Sequence, residues 1–506
     1  GIIGFRTLSA VPKPQIDHSA QKKTYGDTTY LYTTYHRQKL AETSSNSHIE
    51  SDLYKAYLKS GGTPIEVKQG YDGVNANERN VWKSLGRMFD KPVVSWSEDK
   101  MKRAIRITER QMGSIFGSGV QFEPEITEEA VPGAWWKYYH FRTKAEVLRC
   151  PQFYESWQQC RDGITEYPPY VTAGKREFLS KSELDEDKIR TFLMAPLELL
   201  MDEKFLYGGQ DELMKQLQPG WIRYGMNMHE GGFDRFVKNT ISDFHVEWDI
   251  SGWDRKLPIL NLVMAMRNRA LEKTVGPLMW NEIKDIAKRV TDQVVNHRVL
   301  LPDGTVVKWP WSQMSGDGMT TSNNCLAHSI IAAYLLISAC PEATDDEIVD
   351  QLVNLYGDDI FAGLKEKFSK LKEEKFVNSV YMEFGMSVKK GTFKCQETPV
   401  NMSFLGATVK AFRMGKQVFF SPGYKRDRIL TGVKWSLSPL NGDEELMKMF
   451  SLLELGWYDC YDEIRMYIEY LFRVLPASAV KNSFLRRGIP SRVQIRNTWA
   501  GVFGVD

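Results

Sequence analysis

An α+β architecture in two or more packed units is what the residue pattern leads one to expect. Three observations carry it. The chain has 506 residues, more than one ordinary core holds at about 100–200 residues per domain. Its middle alternates strand-like and helix-like apolar periods, and beyond Pro422 helical spacing takes over. Apolar residues at 42% and charged residues at 26% are ordinary globular usage, which excludes a disordered chain, a coiled coil and a collagen-like fibre.

The elements follow in order. Residues 1–130 are polar and irregular, with loop signals at Gly61-Gly62-Thr63-Pro64 and Gly70-Tyr71-Asp72-Gly73. Residues 99–113 predict a charged amphipathic helix. Residues 170–190 read as a charged loop with basic residues at both ends, and Phe192 to Phe205 as a helix. Residues 243–250 alternate with period two and predict a strand. A helix follows at Leu260 to Lys273, then a hairpin at 294–310 with Asp303-Gly304 at its turn. The apolar stretch Cys325–Cys340 has 16 residues. That is short of the ~18–20 a membrane span needs, so 324–340 reads as a buried core helix. Residues 352–363 read as two short strands around Gly357-Asp358, Lys365 to Phe384 as an amphipathic helix, and 403–420 as a hairpin. Leu446, Met449, Phe450, Leu453, Ile464, Ile468 and Leu471 keep helical spacing, so 423–506 is expected to be a separate, mostly helical unit.

Charge and thiols narrow the classes. The net charge of +2 does not by itself announce a nucleic-acid binder. It is a cancellation: acids gather at 123–129 and 183–187, bases at 404–428 and 470–505. The six Cys are widely spread with no C-x-x-C, which reads as free thiols in a reducing compartment. The eight His form no zinc-like spacing. The start at Gly1 without Met reads as a processing or expression product.

Four elements point to chemistry. Asp249 closes a strand and stands five residues before Asp254. Ser315-Gly316-Asp317-Gly318-Met319-Thr320 runs from a loop into the helix that carries Asn324. Tyr356-Gly357-Asp358-Asp359 forms a hairpin turn. Lys390 to Lys394 precede Phe404-Leu405-Gly406. Each alone is a weak signal, since paired Asp residues are common as caps and turn formers. Together they make an argument. If the strands flanking Asp249 and Asp358 are neighbours, their carboxylates meet at one sheet edge, which is costly without a cation. Hard oxygen ligands suit Mg²⁺ or Mn²⁺. Two such ions about 3.5–4 Å apart can clamp both oxygens of a phosphoryl displacement.

In this order the residues resemble the palm of a viral RNA-dependent RNA polymerase. Asp249-x4-Asp254 resembles motif A, Ser315-Gly316-x3-Thr320-x3-Asn324 motif B, Tyr356-Gly357-Asp358-Asp359 motif C and Phe404-Leu405-Gly406 motif E. Lys175-x-Glu177 with Lys188-x-Arg190 resembles motif F, and Pro132-Gly133 with Lys144 is a candidate for motif G. The resemblance covers about 130–410. Positive-strand RNA viruses fit best: with Gly231-Gly232-Phe233-Asp234-Arg235, the set looks closest to astroviruses, with calicivirus and potyvirus enzymes as near relatives.

The resemblance implies a right-hand fold. Fingers would cover 1–195 with an insertion at 265–300, a palm of antiparallel sheet and flanking helices 196–264 and 301–410, and a helical thumb 411–506, closed by fingertips. It implies template-directed RNA synthesis. Asp249 and Asp358 would bind two Mg²⁺ or Mn²⁺ ions, with Asp359 assisting. Lys394 would protonate the leaving pyrophosphate, with Lys389 and Lys390 competing for that role. Asp254, Thr320 and Asn324 would read the ribose 2′-OH of the incoming NTP. Ser315 and Gly316 would begin a moving loop, and Lys175, Lys188 and Arg190 would neutralise the triphosphate. Lys410, Arg426, Arg428, Arg486, Arg487 and Arg492 would grip template and product RNA. A genome-linked protein primer and other viral replication proteins are the implied partners, in membrane-associated complexes of the host cytoplasm.

Two departures stand out. Asp317 in the motif B loop either caps the next helix or repels phosphate. The acidic run 183–187 should weaken nucleotide attraction unless it points outward or pairs with Lys181. Two other readings stay open: a reverse transcriptase-like polymerase, which would carry a bulky steric gate near Asp254 rather than an Asp with a motif B Asn, and a non-catalytic RNA-binding or packaging protein with structural carboxylates.

Overall fold

The computed structural model describes residues 7–503 apart from 44, 47, 66–70, 134, 314 and 481–486. Along the chain, the elements that matter begin with β1 (Thr29–Thr33), α1 (Asp52–Lys59), α2 (Glu98–Gln111), β2 (Tyr170–Gly174), β3 (Thr191–Met194) and α3 (Leu197–Leu217). Next come β4 (Phe244–Trp248), α4 (Leu260–Val295), β5 (His297–Leu300), β6 (Thr305–Trp309) and α5 (Thr320–Ala339). Then follow β7 (Leu352–Tyr356), β8 (Asp359–Leu364), α6 (Glu374–Met382), β9 (Lys394–Gln396), β10 (Ala407–Met414) and β11 (Gln417–Gly423). The chain closes with α7 (Arg426–Lys434), α8 (Gly442–Leu455), α9 (Tyr461–Val474) and α10 (Arg492–Trp499). The mixture of helices and strands is the expected α+β class.

The central sheet has the order β7-β8-β4-β9, every pair antiparallel. All five β4 residues are buried, so both sheet faces are covered. The period of two decides what covers them. Val246, Trp248, Ile360 and Ala362 pack into the main core with Ile330 and Tyr334 of α5 and Val377 and Tyr381 of α6. Phe361 points the other way, among Phe236, Phe404 and Val409. Every α5 residue from Ser322 to Ala339 is buried, at about 1.5–3 kcal/mol for each large apolar side chain. This is the core helix the sequence predicts. Among the described residues no helix is long and apolar enough to cross a membrane.

A second sheet runs β1-β6-β5-β2-β3. The β5–β6 hairpin turns at Asp303-Gly304 as expected. Three local expectations are corrected. Residues 170–190 are not a loop: β2 pairs with β3, Glu177–Ser180 forms another strand, and Lys181–Asp185 a short helix. The helix expected from Phe192 starts only at Leu197, because Pro196 forces Ala195 out of the helical region and leaves Thr191–Met194 to pair as a strand. The helix expected at 365–384 splits. Glu366–Lys372 winds as a 3₁₀ helix, where residues three apart eclipse, and this buries Phe368 and Leu371 together.

The C-terminal unit is helical but not separate. Its core of Leu446, Met449, Ile464, Tyr467 and Ile468 is completed by Tyr54 and Tyr57 of α1. Ile49–Glu50 also pairs with Trp435–Ser436, and the Ser51 hydroxyl donates to Glu445 at 2.8 Å. Tyr54 and Tyr57, three apart on α1, share the face that docks here.

Candidate active site

The candidate site lies where β4 ends and the β7–β8 turn begins. The register pairs Trp248 with Ile360 and Tyr356 with Asp359. One step beyond the last β4–β8 pair, Asp249 and Asp359 stand opposite each other, with Asp358 in the turn above. Gly357 holds φ at 61° in that turn, and a Cβ there would meet nothing within 4 Å. The turn therefore asks for glycine through its backbone while leaving open space above it. Asp254 sits in the 3₁₀ turn Trp253–Arg255.

Electrostatics ties these groups into one constellation. Burial first, then Asp358 and Asp249, push the Asp359 carboxyl up to about 7. Burial first, then Asp358, push Asp254 up to about 6, while Arg190, Lys175 and the Asn324 hydrogen bond oppose the rise. Burial raises Asp358 as well, reinforced by Asp249 and opposed by Arg190. Among the described residues no Lys or Arg makes an ion pair with Asp249, Asp254, Asp358 or Asp359. The cluster carries negative charge that the protein itself leaves largely uncompensated. That donor set fits a hard divalent cation. Among the described residues no three His, Cys, Asp or Glu side chains are gathered into a cage. Mg²⁺ does not need one, being held by one or two carboxylates with substrate phosphates and water.

The neighbouring residues sort clearly. Asn324 is buried, accepts a hydrogen bond from the Trp253 indole at 3.0 Å and donates to Asp254 at 3.4 Å. Lys175 and Arg190 are joined through their backbones at 2.8 Å. Arg190 lies on the Glu177 carboxylate through two nitrogens, Nε at 2.7 Å, and that contact raises its already high pKa. Lys188 is not brought to the cluster; it pairs with Glu186 at 2.5 Å. Lys394 faces Glu247 across β9 and β4 at 3.4 Å, half exposed. The Lys389 backbone amide donates to the Asp249 carbonyl at 2.8 Å. The Leu405 backbone at the Phe404-Leu405-Gly406 turn hydrogen-bonds Asp359.

The loop before α5 settles one open question. Asp317 Oδ1 accepts from the Met319 amide at 2.8 Å, and the Tyr170 hydroxyl donates to Oδ2. Asp317 therefore closes the turn just ahead of α5 and points into the protein, beside the buried Glu203 carboxyl. The Thr320 hydroxyl donates to the Asp317 carbonyl at 2.9 Å. Ser315 and Gly316 lend their carbonyls to the Leu193 and Ala195 amides. The acidic run 183–187 is likewise engaged, though not with Lys181. Glu183 caps its own short helix, and Asp187 faces Arg79, Lys83 and Asn80.

The expected RNA-gripping residues divide. Lys410 lies over the Tyr458 ring at 4.3 Å and donates to Asn401, and Arg426 pairs with Glu463 at 2.5 Å. Arg428, Arg487 and Arg492 are exposed. Arg486 lies outside the described residues.

Sequence reasoning missed the packing around the carboxylates. Trp248 and Trp253 each precede a site Asp, and this repeated Trp-Asp dipeptide was the available signal. His328 sits within the predicted core helix, and its surroundings in the sequence give no sign that it reaches the site.

Comparison with known proteins gives the same direction. The profile of a family described as viral RNA-dependent RNA polymerase matches residues 138–475. The non-structural polyprotein 1AB of Human astrovirus-5 is 25% identical over 253 residues, 47% of this chain and 17% of the relative. That of Turkey astrovirus 2 is 22% identical over 303 residues, covering 56% of this chain and 18% of the relative. The genome polyprotein of Beet mosaic virus is 25% identical over 211 residues, 40% of this chain and 6% of the relative. The chain thus spans less than a fifth of the length of these relatives.

Proposed function

The chain belongs to the RNA-dependent RNA polymerases of positive-strand RNA viruses, and from that premise we propose template-directed addition of nucleoside monophosphates to an RNA 3′-OH, with release of pyrophosphate, at the carboxylate cluster. The observation that carries this reading is the meeting of Asp249, Asp358 and Asp359 at one sheet end, beside an Asp254 bonded to Asn324.

Asp249 and Asp358, with Asp359 assisting, would hold two Mg²⁺ or Mn²⁺ ions, which when bound supply the positive charge that activates the 3′-OH and stabilises the transferred phosphoryl. Asn324 orients Asp254 so that a free carboxylate oxygen accepts the ribose 2′-OH, the group that marks an RNA precursor. The pairing of Asp254 with Asn324 favours this reading over a reverse transcriptase, which would carry a bulky gate near Asp254. Lys175 and Arg190 hold the triphosphate beside the cluster, and Glu177 keeps the Arg190 fork in place. Lys394 remains the proposed proton donor to pyrophosphate, on the same sheet face as Asp249.

In this reading the β7-β8-β4-β9 sheet is the palm. Residues 1–195 and 265–300 are fingers, and 411–506 is the thumb. The docking of α1 on the C-terminal core supports a hand closed between its first and last segments. Exposed Arg428, Arg487 and Arg492 are the candidates for duplex phosphate contact, and RNA and NTPs are the partners.

Primer extension on an RNA template tests the reading, comparing NTPs with dNTPs in Mg²⁺ and in Mn²⁺. Template-dependent NTP incorporation that disappears in Asp358→Ala is the expected result. A preference for dNTPs, or incorporation surviving in that variant, would overturn it.

A further inference from the structure

Among the polar side chains buried along α5, His328 has no task in the reaction outlined above. His328 is 0% exposed. Its Nδ1 lies 3.0 Å from the Gly357 carbonyl and its Nε2 lies 2.8 Å from the Tyr381 hydroxyl. The Trp248 indole donates to that same hydroxyl at 3.1 Å. The donors can be assigned without ambiguity. A carbonyl only accepts, so Nδ1 carries the proton and donates to Gly357. Nε2 is then the acceptor, and the Tyr381 hydroxyl donates to it while accepting from Trp248. Burial pushes the His328 pKa down to about 4, which agrees with one neutral tautomer.

What this chain of bonds connects is informative. Trp248 is the residue before Asp249, and Gly357 is the residue before Asp358. The Trp253 ring, which precedes Asp254, lies 4.7 Å from the His328 ring and donates its indole N–H to Asn324. A second α5 side chain reaches the same turn: the Gly357 amide donates to Cys325 Sγ at 3.2 Å. The chain neighbours of Asp249, Asp254 and Asp358 therefore converge on one imidazole, Trp248 by way of the Tyr381 hydroxyl, one turn of helix beyond Asn324. Strand pairing fixes β4 against β8 and closes the turn at Tyr356 and Asp359; the Gly357 peptide beyond that pair is held from α5 by His328 and Cys325.

We propose that His328 is a positioning residue, and that its hydrogen bond to Gly357, with its tautomer set by Tyr381, fixes the spacing between Asp249 and Asp358 and so sets the affinity of the cluster for divalent cations. This rests on the polymerase reading of the site. His328 touches no reacting atom; it acts through the backbone of the turn.

The test is Mn²⁺ binding to the full chain, followed by the electron paramagnetic resonance of free Mn²⁺, beside Mg²⁺ titrations of single-nucleotide incorporation. His328→Leu removes both ring bonds. It is expected to weaken Mn²⁺ binding about tenfold and to raise the half-saturating Mg²⁺ by a similar factor, with the NTP KM at saturating Mg²⁺ within about twofold. His328→Asn sets an amide nitrogen close to where Nδ1 was. It is expected to bring Mn²⁺ binding back to within about threefold of wild type. Tyr381→Phe frees the tautomer, leaves the Trp248 indole unpaired and should weaken binding about threefold; it carries the test if His328→Leu does not fold. Wild-type Mn²⁺ affinity in His328→Leu or Tyr381→Phe overturns the proposal, as does an Asn variant no better than Leu, which would mean packing alone matters. A wild-type protein that neither binds Mn²⁺ nor incorporates nucleotides would instead sink the polymerase reading.

Discussion

Two glycine-aspartate turns flank the site, and they do opposite things with their carboxylates. In Gly316-Asp317-Gly318 the acid is turned inward, accepting from the Met319 amide and from the Tyr170 hydroxyl. In Gly357-Asp358-Asp359 the acids face one another and Asp249, and burial with mutual repulsion raises both. Both turns need positive φ at a glycine: 108° at Gly316 and 61° at Gly357. The surroundings differ. A Cβ at Gly316 would strike the Leu193 carbonyl at 1.8 Å, whereas one at Gly357 meets open space. The same dipeptide thus serves as a turn leading into a helix in a closed setting and as a charged lip in an open one. Both turns set carboxylates against one another, since Asp317 also raises the buried Glu203 carboxyl; what separates them is that protein donors hold Asp317 in a closed setting, while the Gly357 turn opens onto free space.

The sharpest way to break that contrast is to delete one acid from each turn. Asp358→Ala removes a ligand whose charge the reaction requires. Nucleotide incorporation should fall about 10³-fold or more, the equivalent of several kcal/mol of lost charge stabilisation. The melting temperature should hold or rise, because repulsion is relieved. Asp317→Ala should act the other way. It loses the bond that closes the turn ahead of α5, about 1 kcal/mol, and leaves the buried Tyr170 hydroxyl unpaired at about 1–3 kcal/mol, offset in part by relief of the repulsion with Glu203. Thermal unfolding would read the loss. A variant of Asp317 that kept its stability but lost activity would reverse the assignment of the two turns.

The sequence carries some of these distinctions and hides others. The strand ending at Asp249, the turn at Gly357-Asp358 and the helix bearing Asn324 were all legible, because each rests on a local period or a turn residue. Asp317 was not, since capping and phosphate repulsion use the same side chain and only the partner decides. Residues 170–190 were misread for a related reason. Their charges dominate the composition, while the pairing of β2 with β3 is a nonlocal fact. Nor could any period within 423–506 reveal that Tyr54 and Tyr57 complete its core, almost four hundred residues away in sequence. Tyr57→Ala tests that joint. At about 3–4 kcal/mol for a buried aromatic, it should loosen the C-terminal helices, read as faster amide exchange across α8 and α9 than across α5.

A smaller effect probes the edge of the charged turn. Asn324 serves the sugar side of the site through Asp254 and is itself held by the Trp253 indole. Asn324→Ala should therefore lower the preference for NTPs over dNTPs about tenfold, roughly the worth of one hydrogen bond to a charged group, with little change in incorporation of NTPs at saturation. Loss of both substrates equally would place Asn324 in the packing of α5 rather than in sugar choice.

The smallest effect concerns the repulsion itself. The folded Asp359 carboxyl sits at about 7 against an ordinary 3.8, so the folded chain holds this proton where the unfolded chain releases it. Stability from this group is complete below the ordinary value and is lost as pH rises through the folded one. Asp359→Asn mimics the protonated form at every pH. In metal-free protein its melting temperature should gain little near pH 4, gain more as pH rises, and level off above about pH 7. The plateau should be about 1–3 °C, modest because the group is partly solvated and the chain is large. Saturating Mg²⁺ at about pH 8 should cancel the gain, because cation binding relieves the same repulsion in the wild type. A gain independent of pH would mean that the turn carries no stored repulsion, and the contrast with Asp317 would lose its physical basis.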